Sequence, residues 1–153
     1  MADKPAEYYP PMGFSFRVSV TGLQSAAFES QFQSVSGLSV DIELEEFAEG
    51  GENRFKHKFP VKTKFPNLVL KRGFLVDSSL IRWCKDAVEN FNFSRKDITV
   101  ELLTVDGTSQ KSLMTWNIVG AIPVKWNVDE FNAQESKLAV ETIELAYNYF
   151  TVK

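Results

Sequence analysis

Polar and apolar residues alternate along much of this chain, and a period of two is what a strand with one packed side produces. Phe14, Phe16, Val18 and Val20 alternate with Ser15, Arg17, Ser19 and Thr21 before Gly22 closes the run. Leu38, Val40, Ile42 and Leu44 alternate with Ser39, Asp41, Glu43 and Glu45, so the polar side of this strand is acidic and needs water or a basic neighbour. Pro66 and Gly73 bracket a third strand at Asn67 to Lys71. Lys96 to Val105 and Lys111 to Val119 flank Asp106-Gly107, a pair that accepts the positive φ angles of a type I′ hairpin turn. Gly120 then predicts a bulge, and Pro123 an edge position or a bend. In the last run, Lys137 to Val152, Leu138 and Val140 share one parity while Ile143, Leu145, Tyr147 and Tyr149 share the other. A bulge near Glu141-Thr142 would reconcile the two phases.

One segment follows a different period. Leu80, Trp83, Cys84, Ala87 and Val88 stand at helical spacing after the candidate N-cap Asp77, which predicts one helix over about 77–90 lying on the sheet or capping one end. The expected fold class is therefore mainly β: a small antiparallel β-barrel or sandwich with a flanking helix and an extended loop over about 47–65, where Gly50-Gly51 lies. With 153 residues and 44% hydrophobic content the chain buries one core and not two, giving a single domain over 14–153 behind a flexible, Pro-rich tail at 1–13.

Charge and cysteine content narrow the chemistry. A net charge of −3 gives no general attraction for nucleic acid or anionic membrane. The single cysteine, Cys84, closes no internal disulfide and supplies no zinc site, which fits a reducing compartment. Lys4, Glu7 and Pro10-Pro11 interrupt the region where a signal peptide needs an apolar run, and no stretch is apolar for long enough to span a bilayer as a helix. Synthesis in the cytoplasm is expected, with any exit from the cell by lysis or by a machine.

Catalytic groups are scarce. The only histidine, His57, sits between Lys56 and Lys58 with no carboxylate close in sequence to orient it as a base. Cys84 falls on the apolar stripe of the helix and reads as packing. Glu45 and Glu46 are adjacent, so on a strand they point to opposite faces and make a poor acid–base pair. Asn92-Phe93-Ser94 has the form of a glycosylation acceptor, but without a secretory route it would not meet the enzyme. Gly50-Gly51 lacks the lysine and the strand-to-helix setting of a phosphate loop. No catalytic residue, cofactor or metal is expected.

The feature that stands out is a charge boundary. Asp41, Glu43, Glu45, Glu46, Glu49 and Glu52 form an unbroken acidic block, and Arg54, Lys56, Lys58, Lys62, Lys64, Lys71 and Arg72 an unbroken basic one. Three readings are open: both blocks are solvated faces of a hairpin, the basic block with Phe55, Phe59 and Phe65 binds nucleic acid, or an acidic edge meets the basic edge of the next copy in a self-assembling subunit. The neighbouring carboxylates repel phosphates and weigh against the second.

Several segments in fixed order resemble one family. They are Phe32-Gln33-Ser34-Val35-Ser36-Gly37-Leu38, Glu49-Gly50-Gly51-Glu52-Asn53, Pro66-Asn67-Leu68-Val69-Leu70-Lys71-Arg72-Gly73 followed by Trp83, and Ala121-Ile122-Pro123-Val124-Lys125-Trp126, with the late stretch Leu138 to Leu145. From about Phe14 to Phe150 the chain resembles the inner-tube proteins of contractile phages and extracellular contractile injection systems, and more distantly the type VI secretion tube protein. The resemblance implies hexameric rings stacked into a hollow tube inside a contractile sheath. The implied partners are further copies of itself, the sheath protein, baseplate and tube-terminating proteins and lumenal effector cargo. Nucleic acid is implied only if the parent particle is a phage, and no direct membrane anchor is. The resemblance also places Glu45, Glu49, Glu52, Arg54, Lys56, Lys58, Lys62 and Lys64 at a subunit interface. The alternatives are a tube-initiating paralogue at the baseplate end and a monomeric barrel that binds a ligand or nucleic acid.

Overall fold

The computed structural model describes residues 15–23, 31–73, 78–106, 109–129 and 139–153. The tail 1–13, Phe14, the candidate cap Asp77, Gly107 of the expected turn and Leu138 lie outside the described residues.

The alternating runs form strands. In chain order these are β1 (Ser15–Val20), β2 (Gln31–Phe32), β3 (Ser34–Ser36), β4 (Asp41–Phe47), β5 (His57–Lys64) and β6 (Leu68–Gly73), then helix α1 (Ser79–Asn90), then β7 (Lys96–Asp106), β8 (Ser109–Val128), β9 (Val140–Ala146) and β10 (Tyr149–Val152). The main sheet runs β2-β1-β7-β8-β9-β6-β3, with β10 added on β8 and all pairings antiparallel. Only Gln33 separates β2 from β3, and its N–H donates to the carbonyl of Lys71 at 2.9 Å. The two ends of the sheet's main path are thus one stretch of chain, which closes that path into a barrel, while β10 pairs with β8 alone.

Gly37 follows at once, and only glycine serves there. Its φ is +90°, and a Cβ would run into the carbonyl of Asn67 at the start of β6. Its own carbonyl accepts a hydrogen bond from the Tyr147 hydroxyl at 3.2 Å. A second positive φ, +70° at Gly120, accompanies the register shift between β7 and β8 that was expected there. A further shift between Pro123 and Lys125 bends β8 as it passes from β7 to β9.

The inward positions fill one core: Val18, Val20, Phe32, Leu68, Leu70, Ile98, Val100, Ile118, Ala121, Ile143 and Leu145 from the strands, with Leu80, Trp83 and Cys84 from α1. At roughly 25 cal/mol per Å² of apolar surface removed from water, this burial is the main driving term. The helix begins one residue later than Asp77 implies. Ser78 is its N-cap, with Oγ accepting from the N–H of Ile81 at 3.1 Å. At its other end Phe91 adopts a left-handed conformation, φ 52°, and its N–H bonds back to the carbonyl of Asp86.

The phase change in the last run is resolved differently from the expectation. No bulge interrupts Glu141-Thr142: β9 pairs with β6 in steady register from Leu68↔Leu145 to Gly73↔Val140. Glu141 is buried and points inward with Ile143 and Leu145, which a parity argument that assigns carboxylates to water cannot anticipate. The break falls instead at Tyr147-Asn148, between β9 and β10.

Candidate subunit interface

Strands β4 and β5 pair only with each other and form an arm outside the barrel sheet. The extended loop expected over 47–65 is therefore strand in its second half, with the connection shortened to the residues between Phe47 and His57. That strand, His57–Lys64, carries Lys58, Lys62 and Lys64 on one parity and Phe59 and Val61 on the other, but Pro60 interrupts the run and the short, densely basic stretch reads as a loop.

The arm brings the two charge blocks together. Cross-strand register places Asp41 opposite Lys64, Glu43 opposite Lys62 and Glu46 opposite Lys58, with Glu45 opposite Phe59. Lys62 Nζ lies 3.2 Å from Glu43 Oε2 and Lys56 Nζ 3.9 Å from Glu46 Oε2. In the connection, Arg54 donates to both oxygens of Glu52, at 2.9 and 3.1 Å, which lowers the Glu52 pKa and raises that of Arg54. Much of the charge boundary is thus internal to one subunit. His57 also has a carboxylate beside it after all: the fold returns Glu49 Oε2 to 3.0 Å from Nε2, a contact between residues too far apart in sequence to suggest it. The ring sits exposed between Phe55, edge-on at 5.2 Å, and Phe59, stacked at 6.3 Å.

The second property of the arm is apolar exposure. Both strands are exposed along nearly their whole length. Ile42, Leu44, Phe47, Phe55, Phe59 and Val61 are each more than half accessible. The alternation in β4 predicts a packed apolar side, and none of the described residues covers it. An isolated two-stranded hairpin is marginal in water and such a concentration of uncovered apolar side chains marks an interaction surface.

Arg72, grouped with the solvated basic block by sequence, belongs elsewhere. It is buried, with Nε 3.0 Å from Glu141 Oε2 and Nη2 2.8 Å from Ser78 Oγ. Trp126 Nε1 donates to the other oxygen of Glu141 at 2.7 Å, and the guanidinium lies 4.8 Å from the centroid of the Phe32 ring. One ion pair therefore ties β6, β9, β8, β2 and the cap of α1 together. No sequence signal gives this pair, since its members lie 69 positions apart. Beside it Cys84 is fully buried, and loss of hydration together with the Glu141 charge raises its pKa to about 12. A thiol so held is no nucleophile. Among the described residues no cluster of histidine, cysteine and carboxylate side chains is suited to hold a metal.

Among the described residues a small barrel, one helix and an exposed two-stranded arm rich in apolar side chains describe a subunit built to associate. Residues 12–151 match the family model of the T4-like virus tail tube protein gp19, and the chain belongs to that family. Three solved structures illustrate the likeness. A chain in the tube-terminating cap of the anti-feeding prophage is 27% identical, with 99% of this chain and 95% of that one covered and a TM-score of 0.76. A chain in the extended sheath-tube complex of the PVC extracellular contractile injection system is also 27% identical, covering 96% and 93% with a TM-score of 0.73. A type six secretion system protein shares the fold at 12% identity, covering 92% and 83% with a TM-score of 0.65. No curated protein matches the chain. The protein is a tail-tube protein, the structural subunit of a contractile system's inner tube.

Proposed function

We propose that this subunit forms hexameric rings that stack into a hollow tube inside a contractile sheath, and that sheath contraction drives the tube through a target envelope with its cargo. The observation that carries this reading is the arm, with both faces exposed and rich in apolar side chains in a chain matched to the tail-tube family over 12–151. The likeness to chains in the PVC sheath-tube complex and in the anti-feeding prophage cap supports a sheath protein and a tube-terminating protein as partners. In this reading Glu45, Glu49, Glu52, Arg54, Lys56, Lys58, Lys62 and Lys64 line the contact between copies, setting register and polarity, while apolar burial holds the tube. Rim ion pairs contribute only about 0–1 kcal/mol each, whereas a standard specific interface buries on the order of 1,600 Å². The subunit transmits force and shapes a passage, and it carries out no covalent chemistry.

Light scattering on size-exclusion fractions, with negative-stain microscopy of the same fractions, tests the proposal. Rings or hollow tubes are expected. A strictly monodisperse monomer at every protein and salt concentration would overturn it in favour of a binding barrel.

A further inference from the structure

The helix that packs on the barrel leaves the end of its apolar stripe uncovered. Leu80, Trp83, Cys84 and Ala87 are buried, yet Val88, the next member, is 66% exposed. Beyond it Phe91 is 81% exposed although its backbone is held at φ 52°, a conformation that bulky residues rarely adopt. Phe93 meets it edge-on at 4.8 Å. Across from the helix, the bulge of β8 turns out Val124, 48% exposed. Together these side chains line an apolar groove of about 390 Å³ with Cys84, Ala87 and Trp126. The only charged residue lining it is Lys125, which has no carboxylate partner among the described residues.

The arm carries the complementary set. One of its faces presents Glu45 with Phe47 and Phe59, because Glu45 stands opposite Phe59 and Phe47 opposite His57. Glu43, Glu46 and Glu52 each face a cation within the subunit and Glu49 faces the His57 ring, but Glu45 has no such partner among the described residues. A bare carboxylate amid exposed aromatics thus matches a bare ammonium in an exposed apolar groove.

We propose that the α1–β8 groove is the receptor for the arm of a neighbouring copy, with Phe47 and Phe59 seated against Val88, Phe91 and Val124 and Glu45 paired with Lys125. The contact is heterologous, since two different patches meet. Copies joined this way continue as a ring or a stack and do not stop at a two-fold dimer. The proposal rests on the tube reading and adds to it where the arm goes.

The test uses the full chain under conditions in which the wild type assembles. Phe47→Cys and Val88→Cys together, both at exposed positions, are expected to give a ladder of disulfide-linked species beyond dimer under mild oxidation, while each single variant stops at dimer. Val88→Asp is expected to lower tube yield by tenfold or more with an unchanged monomer circular dichroism spectrum. Glu45→Lys and Lys125→Glu are each expected to weaken assembly, and the double exchange to restore it. Tubes of wild-type yield from Val88→Asp with no ladder from the cysteine pair would overturn the groove and leave the tube reading intact. Loss of tubes in Val88→Asp without a ladder would overturn the arm as its occupant. A wild-type chain that forms neither rings nor tubes would overturn the tube reading itself.

Discussion

At the scale of single residues the most consequential group is the Arg72–Glu141 pair, because both charges are out of water. Removing one partner leaves the other buried and uncompensated, at a cost of about 3–5 kcal/mol. Arg72→Met is accordingly expected to lower the monomer melting temperature by about 6–20 °C, while replacement of an exposed charge such as Lys62→Met is nearly neutral; thermal denaturation followed by circular dichroism compares them. Cys84 gives a second prediction. Its pKa is raised to about 12, so the folded state retains a proton that the unfolded chain releases near 9. The unfolded state then binds fewer protons across that interval, and this contribution to stability is full below about pH 9 and is lost as pH rises toward 12. The difference in stability between wild type and Cys84→Ala should narrow over that range in urea titrations, and at pH 8 a thiol reagent should modify Cys84 only on unfolding.

At the scale of elements the arm behaves unlike every other strand pair, since its apolar side chains contribute to no core within the subunit. Ile42→Ser with Leu44→Ser should leave the monomer melting temperature within about 2 °C of wild type and reduce assembly severely, as judged by sedimentation. The same contrast shows how much the sequence could say. Alternation identified β1, where one side is packed, the Asp106-Gly107 pair pointed to β7 and the first part of β8, and helical spacing identified α1. It also detected the apolar side of β4, but periodicity states only that a face is apolar and not which molecule covers it. Strands β2 and β3 escaped because they are too short to establish a period, and β5 because Pro60 breaks a short, densely basic run whose lysines do keep one parity. The inward Glu141 was misread for a related reason: its partner is brought to it by tertiary structure, and nothing local distinguishes an inward carboxylate from a solvated one.

At the scale of the whole molecule, charge acts chiefly between strands of the arm, so its effect on assembly depends on what remains unpaired. Lys56→Glu with Lys58→Glu places like charges opposite Glu46. It should impair stacking without unfolding the barrel, most strongly at low ionic strength, where screening is weakest; tube length in negative stain across a salt series measures it. The closure of the barrel has a consequence of its own. Among the described residues, strand β1 meets β7 along six residue pairs and β2 along two. At that described seam Phe32 is 3% exposed and lies against the Arg72 guanidinium. An aromatic side chain that joins the seam to the buried ion pair makes the two yield together, so Phe32→Ala would speed amide exchange in β1 and at the cap of α1 alike.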